Sequence, residues 1–164
     1  MDDAGLPAGG IGAASREPPA AGPPALVIEH GGEWYVWVGY HGTSSAGAEA
    51  IMRDGIKARG SGQLGIGFYT TESRNAAAFW ARHRALSAGG DPAVLQIYIR
   101  ESAWQTMKGV RLGWDEIGMY YQPRLYDRFG YVEAPYDIGA LLGEDAWQRR
   151  FNRIAVRHLL AQRG

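Results

Sequence analysis

Two runs of β-branched and aromatic residues, Ala25-Leu26-Val27-Ile28-Glu29-His30 and Glu33-Trp34-Tyr35-Val36-Trp37-Val38-Gly39-Tyr40, are parted only by Gly31-Gly32. A Gly-Gly pair between two such runs reads as a hairpin turn, because glycine supplies the positive φ angles that the tightest turns need. A hairpin needs further strands to bury its apolar face, and Ala93-Val94-Leu95-Gln96-Ile97-Tyr98-Ile99 is the clearest of them. Between these strands the period changes. Ser44 or Ser45 can cap a helix with Ala46, Ala50 and Ile51 at helical spacing, stopping at Asp54-Gly55. A second helix runs from about Ser73 to Ser87, with its alanines and Phe79-Trp80 packed inward and Arg82, His83 and Arg84 nearer solvent; Gly89-Gly90-Asp91-Pro92 ends it. Strands and helices without a regular βαβ repeat point to an α+β fold.

Other segments read less sharply. Gly60 to Gly67 is a glycine-rich, flexible loop leading into a short strand, Phe68-Tyr69-Thr70-Thr71. Beyond Glu101 the pattern predicts a helix around Asp115 to Tyr121, strands around Gly130 to Ala134 and Trp147 to Phe151, and a closing helix from Arg153 to Gln162. Residues 1–24 are mostly Gly, Ala and Pro, too poor in large apolar side chains to offset their ordering entropy, and read as a disordered leader to one domain over residues 25–164.

Composition narrows the function classes. The formal net charge is zero, so no bulk electrostatic attraction favours nucleic acid or a membrane surface, although Arg149, Arg150, Arg153 and Arg157 could form a local basic patch. The absence of cysteine removes disulfides, thiol nucleophiles and thiolate metal sites. No apolar run is long enough to span a bilayer, and the first residues lack the basic start and apolar stretch of a Sec signal. Basic charge rests on fifteen arginines and two lysines, Lys57 and Lys108. A GC-rich genome explains such a bias, and lysine scarcity would also suit a toxin that avoids ubiquitination.

Taken singly, the chemical motifs are modest. His41-Gly42-Thr43 falls at a strand-to-helix junction and could be a polar strand end. Gly65-Ile66-Gly67 enters a strand, whereas a dinucleotide fingerprint leaves a strand and opens a helix, so a Rossmann reading fails on context. Tyr69 and Trp80 could be core aromatics. Their order carries more information: Val38-Gly39-Tyr40-His41-Gly42-Thr43, a helix, Gly55-Ile56-Lys57-Ala58-Arg59, Gly65-Ile66-Gly67-Phe68-Tyr69, then an alanine-rich helix with Phe79-Trp80-Ala81. From Trp34 to Arg100 this resembles the catalytic domain of ADP-ribosyltransferases of the diphtheria toxin and exotoxin A type, a family with a His-Tyr-Glu triad on a split β core, related to the poly(ADP-ribose) polymerases.

The resemblance implies an NAD-dependent mono-ADP-ribosyltransferase. His41 would bond a ribose hydroxyl of NAD, the backbone of Gly42 would hold the nicotinamide carboxamide, and Tyr69 and Trp80 would cover the two faces of the nicotinamide ring, with Phe79 the rival for the second wall. Thr43 and Gly67 would belong to the NAD site, and Arg59 would approach a phosphate. Glu133 would be the triad carboxylate, with Glu144 the fallback; Ala134-Pro135 departs from the family's usual continuation. NAD would be the co-substrate, with no metal. The acceptor would be a protein, for an effector or toxin that acts as a monomer in a host cytosol after specialised secretion or as part of a larger toxin. Two rivals stand beside it: transfer involving nucleic acid, including an RNA 2′-phosphate, and a catalytically inactive NAD-binding or partner-binding module.

Overall fold

The computed structural model describes residues 24–120, 128–136, 142 and 146–163. The expected leader, except Pro24, and Glu144 lie outside the described residues. The elements run β1 (Val27–His30), β2 (Glu33–Ser44), α1 (Ser45–Asp54), β3 (Gly60–Gly62), β4 (Gly65–Thr71), α2 (Arg74–Ala88), β5 (Pro92–Arg100), α3 (Glu101–Thr106), β6 (Gly109–Arg111), a 3-10 turn (Trp114–Tyr120), β7 (Tyr131–Pro135), β8 (Trp147–Phe151), a second 3-10 turn (Ala155–His158) and β9 (Leu159–Arg163). This is a mixed, α+β architecture, as the sequence predicts.

The strand order is β6-β7-β8-β4-β2-β5-β9, with β1 added to β2 and β3 to β4. All pairs are antiparallel except β6 with β7. The junction in the middle is narrow. β2 and β4 share one register pair, Tyr40 with Thr71, whereas β2 and β5 are paired from Tyr35–Arg100 to Ser44–Pro92. Two half-sheets therefore meet at one rung: β1-β2-β5-β9 on one side, β3-β4-β8-β7-β6 on the other. A bulge between Trp37 and Gly39 interrupts β2 beside this junction. There the Val38 carbonyl accepts from Arg149 Nη1 of β8 at 2.8 Å and from Thr70 Oγ1 of β4 at 3.3 Å.

Helix termini follow the sequence signals. Ser44 Oγ accepts from the Gly47 amide and Ser73 Oγ from the Ala76 amide, both at 3.1 Å, while Gly55 (φ 88°) and Gly89 (φ 82°) stop the two helices. On α2 the buried stripe is Ala76, Ala77, Ala81 and Ala85; Phe79 and Trp80, expected inward, are only partly buried at its edge. Ala77 and Ala81 sit over Gly42, where a Cβ would lie 1.9 Å from the Ala77 carbonyl oxygen. The main core, on the other face, joins Val38, Ala48, Phe68, Leu95, Ile97, Ile99 and Phe151 to Ala155 and Val156. A smaller cluster of Leu64, Leu112, Val132 and Ala134 packs with Tyr69.

Three expectations change. The closing helix from Arg153 to Gln162 is instead a 3-10 turn followed by β9, whose residues 159–163 pair with Leu95–Ile99 of β5 and so satisfy that strand's outer edge. The Gly60–Gly67 segment is a hairpin, not a loose loop: Gly60, Ser61 and Gly62 pair with Gly67, Ile66 and Gly65. The Tyr69 ring covers it so closely that a Cβ on Gly62 would lie 2.8 Å from Cζ, which explains glycine there. The helix expected around Asp115 to Tyr121 is a 3-10 turn, and α3 had no sequence signal strong enough to assign.

Candidate functional site

His41 lies on β2 just past the single rung, where β2 turns away from β4. Its ring stacks on Phe68 (centroids 4.2 Å apart, 26° between planes), and Nδ1 is 2.7 Å from the Tyr69 main-chain oxygen. A carbonyl can only accept, so Nδ1 carries the proton and Nε2 remains as an acceptor. Burial pushes the His41 pKa down to about 4; the bond to Tyr69 opposes this and the charge of Arg84 adds to it. The imidazole is thus neutral at physiological pH, with a fixed tautomer.

From His41 to Ser44, β2 pairs with β5 along one edge, and no described strand pairs with the other. Gly42 is in this stretch, pressed against α2. Its neighbour Thr43 turns toward α1, with Oγ1 2.2 Å from where a Gly47 Cβ would stand.

Tyr69, on β4, is locked at its hydroxyl: the Leu64 amide donates to it at 3.0 Å and it donates to the Gly65 carbonyl at 2.5 Å. The β3–β4 hairpin is therefore tied to this ring. Near it is Tyr136, immediately after β7, anchored by a 2.9 Å bond from its amide to the Ala146 carbonyl. Burial raises the Tyr136 pKa, Tyr69 raises it further and Arg84 lowers it. The Tyr136 ring lies nearly parallel to the indole of Trp80, 14° between planes with centroids 6.5 Å apart. The Trp80 Nε1 is buried without a protein partner among the described residues. One turn along α2 from Trp80, Arg84 is exposed and close enough for its charge to act on both His41 and Tyr136.

The structure joins His41 to Tyr69 directly, with Gly42 next along β2, and connects Trp80 to Tyr69 through Tyr136; Tyr136 and Arg84 are residues that sequence reasoning missed. The available signals were slight: helical spacing from Trp80 for Arg84, and an aromatic just past Ala134-Pro135 for Tyr136. Phe79 lies edge-on to Trp80 at 5.7 Å and stacks with His83 at 6.5 Å. Arg59 is exposed ahead of β3, and Gly67 is buried against β8, where a Cβ would meet Arg150 Cγ at 2.4 Å. His83 is exposed, while His158 is partly buried 3.3 Å from Arg100 Nη1.

Glu133 is placed apart from this group. Residues opposite one another in neighbouring strands share a face, and successive residues alternate. Tyr69 pairs with Arg150 and Arg150 with Val132, so these occupy one face; Thr70 pairs with Arg149 and Arg149 with Glu133, so these occupy the other. Glu133 Oε2 accepts from Arg149 Nε at 2.8 Å and from Arg149 Nη2, and Oε1 from Arg111 Nε at 3.3 Å. Arg149 also reaches Glu72, and its guanidinium lies 5.4 Å from the Trp104 ring centroid.

A cavity of about 410 Å³ opens where β4 ends and β8 begins, lined in part by Thr71, Ser73, Gln148, Glu133 and Arg149. Among the described residues, no group of three or more His, Asp or Glu side chains is placed to hold a metal ion, and no helix is long and apolar enough to cross a membrane. No protein-family model matches the chain, and no curated protein matches it.

Proposed function

We propose that this chain binds NAD at the His41–Tyr69–Trp80 cleft and acts as a mono-ADP-ribosyltransferase, the activity implied by its resemblance to toxins of the diphtheria toxin and exotoxin A type. The observation that carries the reading is the meeting, at the junction of two half-sheets, of a neutral histidine, a strand edge that no described strand pairs with, and the aromatic side chains of Tyr69, Trp80 and Tyr136. These groups suit a nicotinamide riboside. Aromatic faces hold a planar cation by dispersion and cation–π attraction. The Gly42 backbone offers an amide and a carbonyl to a carboxamide, and His41 Nε2 accepts from a ribose hydroxyl. Arg84 supplies positive charge for the pyrophosphate.

In the reaction the bond from ribose C1′ to the nicotinamide nitrogen breaks, and its electron pair neutralises the pyridinium. The sugar left behind is oxocarbenium-like, and a nucleophile on the acceptor attacks C1′ and gives up its proton. The walls orient the leaving group and limit water; a carboxylate would stabilise the developing charge. We take the acceptor to be a protein and the chain to be an effector acting in a host cell.

A binding module without transfer is favoured by one specific observation: Glu133 is engaged by two arginines on the face away from Tyr69. Purified protein with labelled NAD and a eukaryotic lysate, beside His41→Ala, separates the readings. Label on protein that vanishes in the variant supports transfer. NAD binding lost in the variant, with no label and no nicotinamide release, supports the module, and no NAD binding at all overturns both.

A further inference from the structure

We propose that Gln148, not Glu133, faces the bound nucleotide beside Tyr69, and that its amide oxygen accepts a hydrogen bond from a ribose hydroxyl; this rests on the NAD reading above. Gln148 pairs with Thr71 of β4 on one side and Ala134 of β7 on the other, so its side chain shares the face of Tyr69. It is 3% exposed. Two residues along a strand span roughly 7 Å, which puts Gln148 about one sugar ring from the aromatic wall.

Its amide can stand only one way round. Nε2 donates to Gln63 Oε1 at 2.8 Å and to the Pro135 carbonyl at 3.4 Å. The Pro135 carbonyl cannot donate, so the nitrogen faces it, and both amide hydrogens are engaged. Oε1 has no donor among the described residues, and it is not among the fully buried atoms without a partner. It is therefore an acceptor that no described residue engages. The same hairpin turn supports the aromatic wall, since Gln63 holds Gln148 while Leu64 and Gly65 hold the Tyr69 hydroxyl.

The chemical consequence lies in the charge. An amide oxygen orients a hydroxyl as a carboxylate does, but it offers a developing oxocarbenium a dipole in place of a full negative charge. Nucleotide binding is retained while cleavage of the nicotinamide bond is slow. The carboxylates of Glu72 and Glu133 are instead turned to Arg149.

The test is calorimetric binding of NAD and of free nicotinamide to wild type and Gln148→Leu, with folding checked by thermal melting. Nicotinamide has no ribose, so the variant should lose roughly tenfold in NAD affinity and keep its nicotinamide affinity. Equal loss for both ligands would mean that Gln148 only supports the fold, and no loss for either would mean that it does not face the ligand; each overturns the proposal. Gln148→Glu, which keeps an acceptor, should bind NAD within about threefold of wild type and release nicotinamide faster; affinity falling to the Leu level overturns it as well. A wild-type chain with no NAD affinity overturns the underlying reading. Binding that is lost in His41→Ala but unaffected in Gln148→Leu overturns this inference alone.

Discussion

The imidazole of His41 spans the gap between the two half-sheets, its Nδ1 2.7 Å from the carbonyl oxygen of Tyr69. One side chain from β2 thus extends a junction that the backbone makes only at Tyr40 and Thr71. The bond needs a single proton on Nδ1, and a second proton on the ring would place a charge in a partly buried site.

Stability should therefore depend on pH through this residue. The folded pKa of about 4 lies below the ordinary value of 6.5, so the unfolded chain binds a proton first as pH falls. The contribution of His41 is constant above about pH 6.5 and declines between there and pH 4, by up to about 1.4 kcal/mol per unit. Denaturant titrations of wild type and His41→Asn across this window should converge as pH falls. Parallel curves would show that His41 titrates normally.

Gly42→Ala should disrupt both fold and site. Its Cβ would meet backbone atoms, the Ala77 carbonyl oxygen at 1.9 Å and the Ala81 nitrogen at 2.8 Å, so α2 must move as a unit. Overpacking of this kind costs about 1–3 kcal/mol or more. A lower melting temperature together with lost NAD affinity is expected, and an unchanged melt would mean that α2 is loosely seated.

Tyr69→Phe keeps the aromatic face and removes only the hydroxyl, leaving the Leu64 amide and Gly65 carbonyl without that partner. The loss should be about 1–3 kcal/mol. Limited proteolysis should show faster cleavage within residues 60–65, whereas nicotinamide affinity should change little if the ring stays in place.

Arg149→Met should be the most damaging surface-proximal change. It leaves Glu133, 14% exposed, without its main cation and removes the tie to Val38. Breaking a buried pair from one side costs about 3–5 kcal/mol, whereas replacing both partners restores much of it. A double-mutant cycle with Glu133→Leu, read by denaturant unfolding, should give a large coupling energy. Additive effects would mean the two residues act separately.

The segment from β2 to β5 could be read because each element carries its own signal: Gly31-Gly32 for the hairpin, Ser44 and Ser73 as caps, Gly55 and Gly89 as stops. His41 and Tyr69 meet across the junction, and Trp80 stands against Tyr136. Glu133 illustrates the limit. Its strand was assigned, but the face it uses depends on register with β8, and shifting a strand by one residue exchanges its faces. Gln148 carries no local signal; its parity with Thr71 and the carbonyl of Pro135 give it significance. β9 was misread because Leu159-Leu160-Ala161 suits a helix or a strand, and the open edge of β5, sixty residues earlier, decides between them.

That pairing of β9 with β5 also sets a timetable. The half-sheet that residues 27–44 begin is closed by residues 159–163, with the other half-sheet built from the chain between. During vectorial synthesis β5 leaves the ribosome with its outer edge open and waits for the roughly sixty residues that separate it from β9. Such long-range closure slows folding and leaves the apolar run Val94–Ile99 available to other chains. Stalled or shortened translation products should consequently be prone to aggregate rather than to form a smaller stable fold.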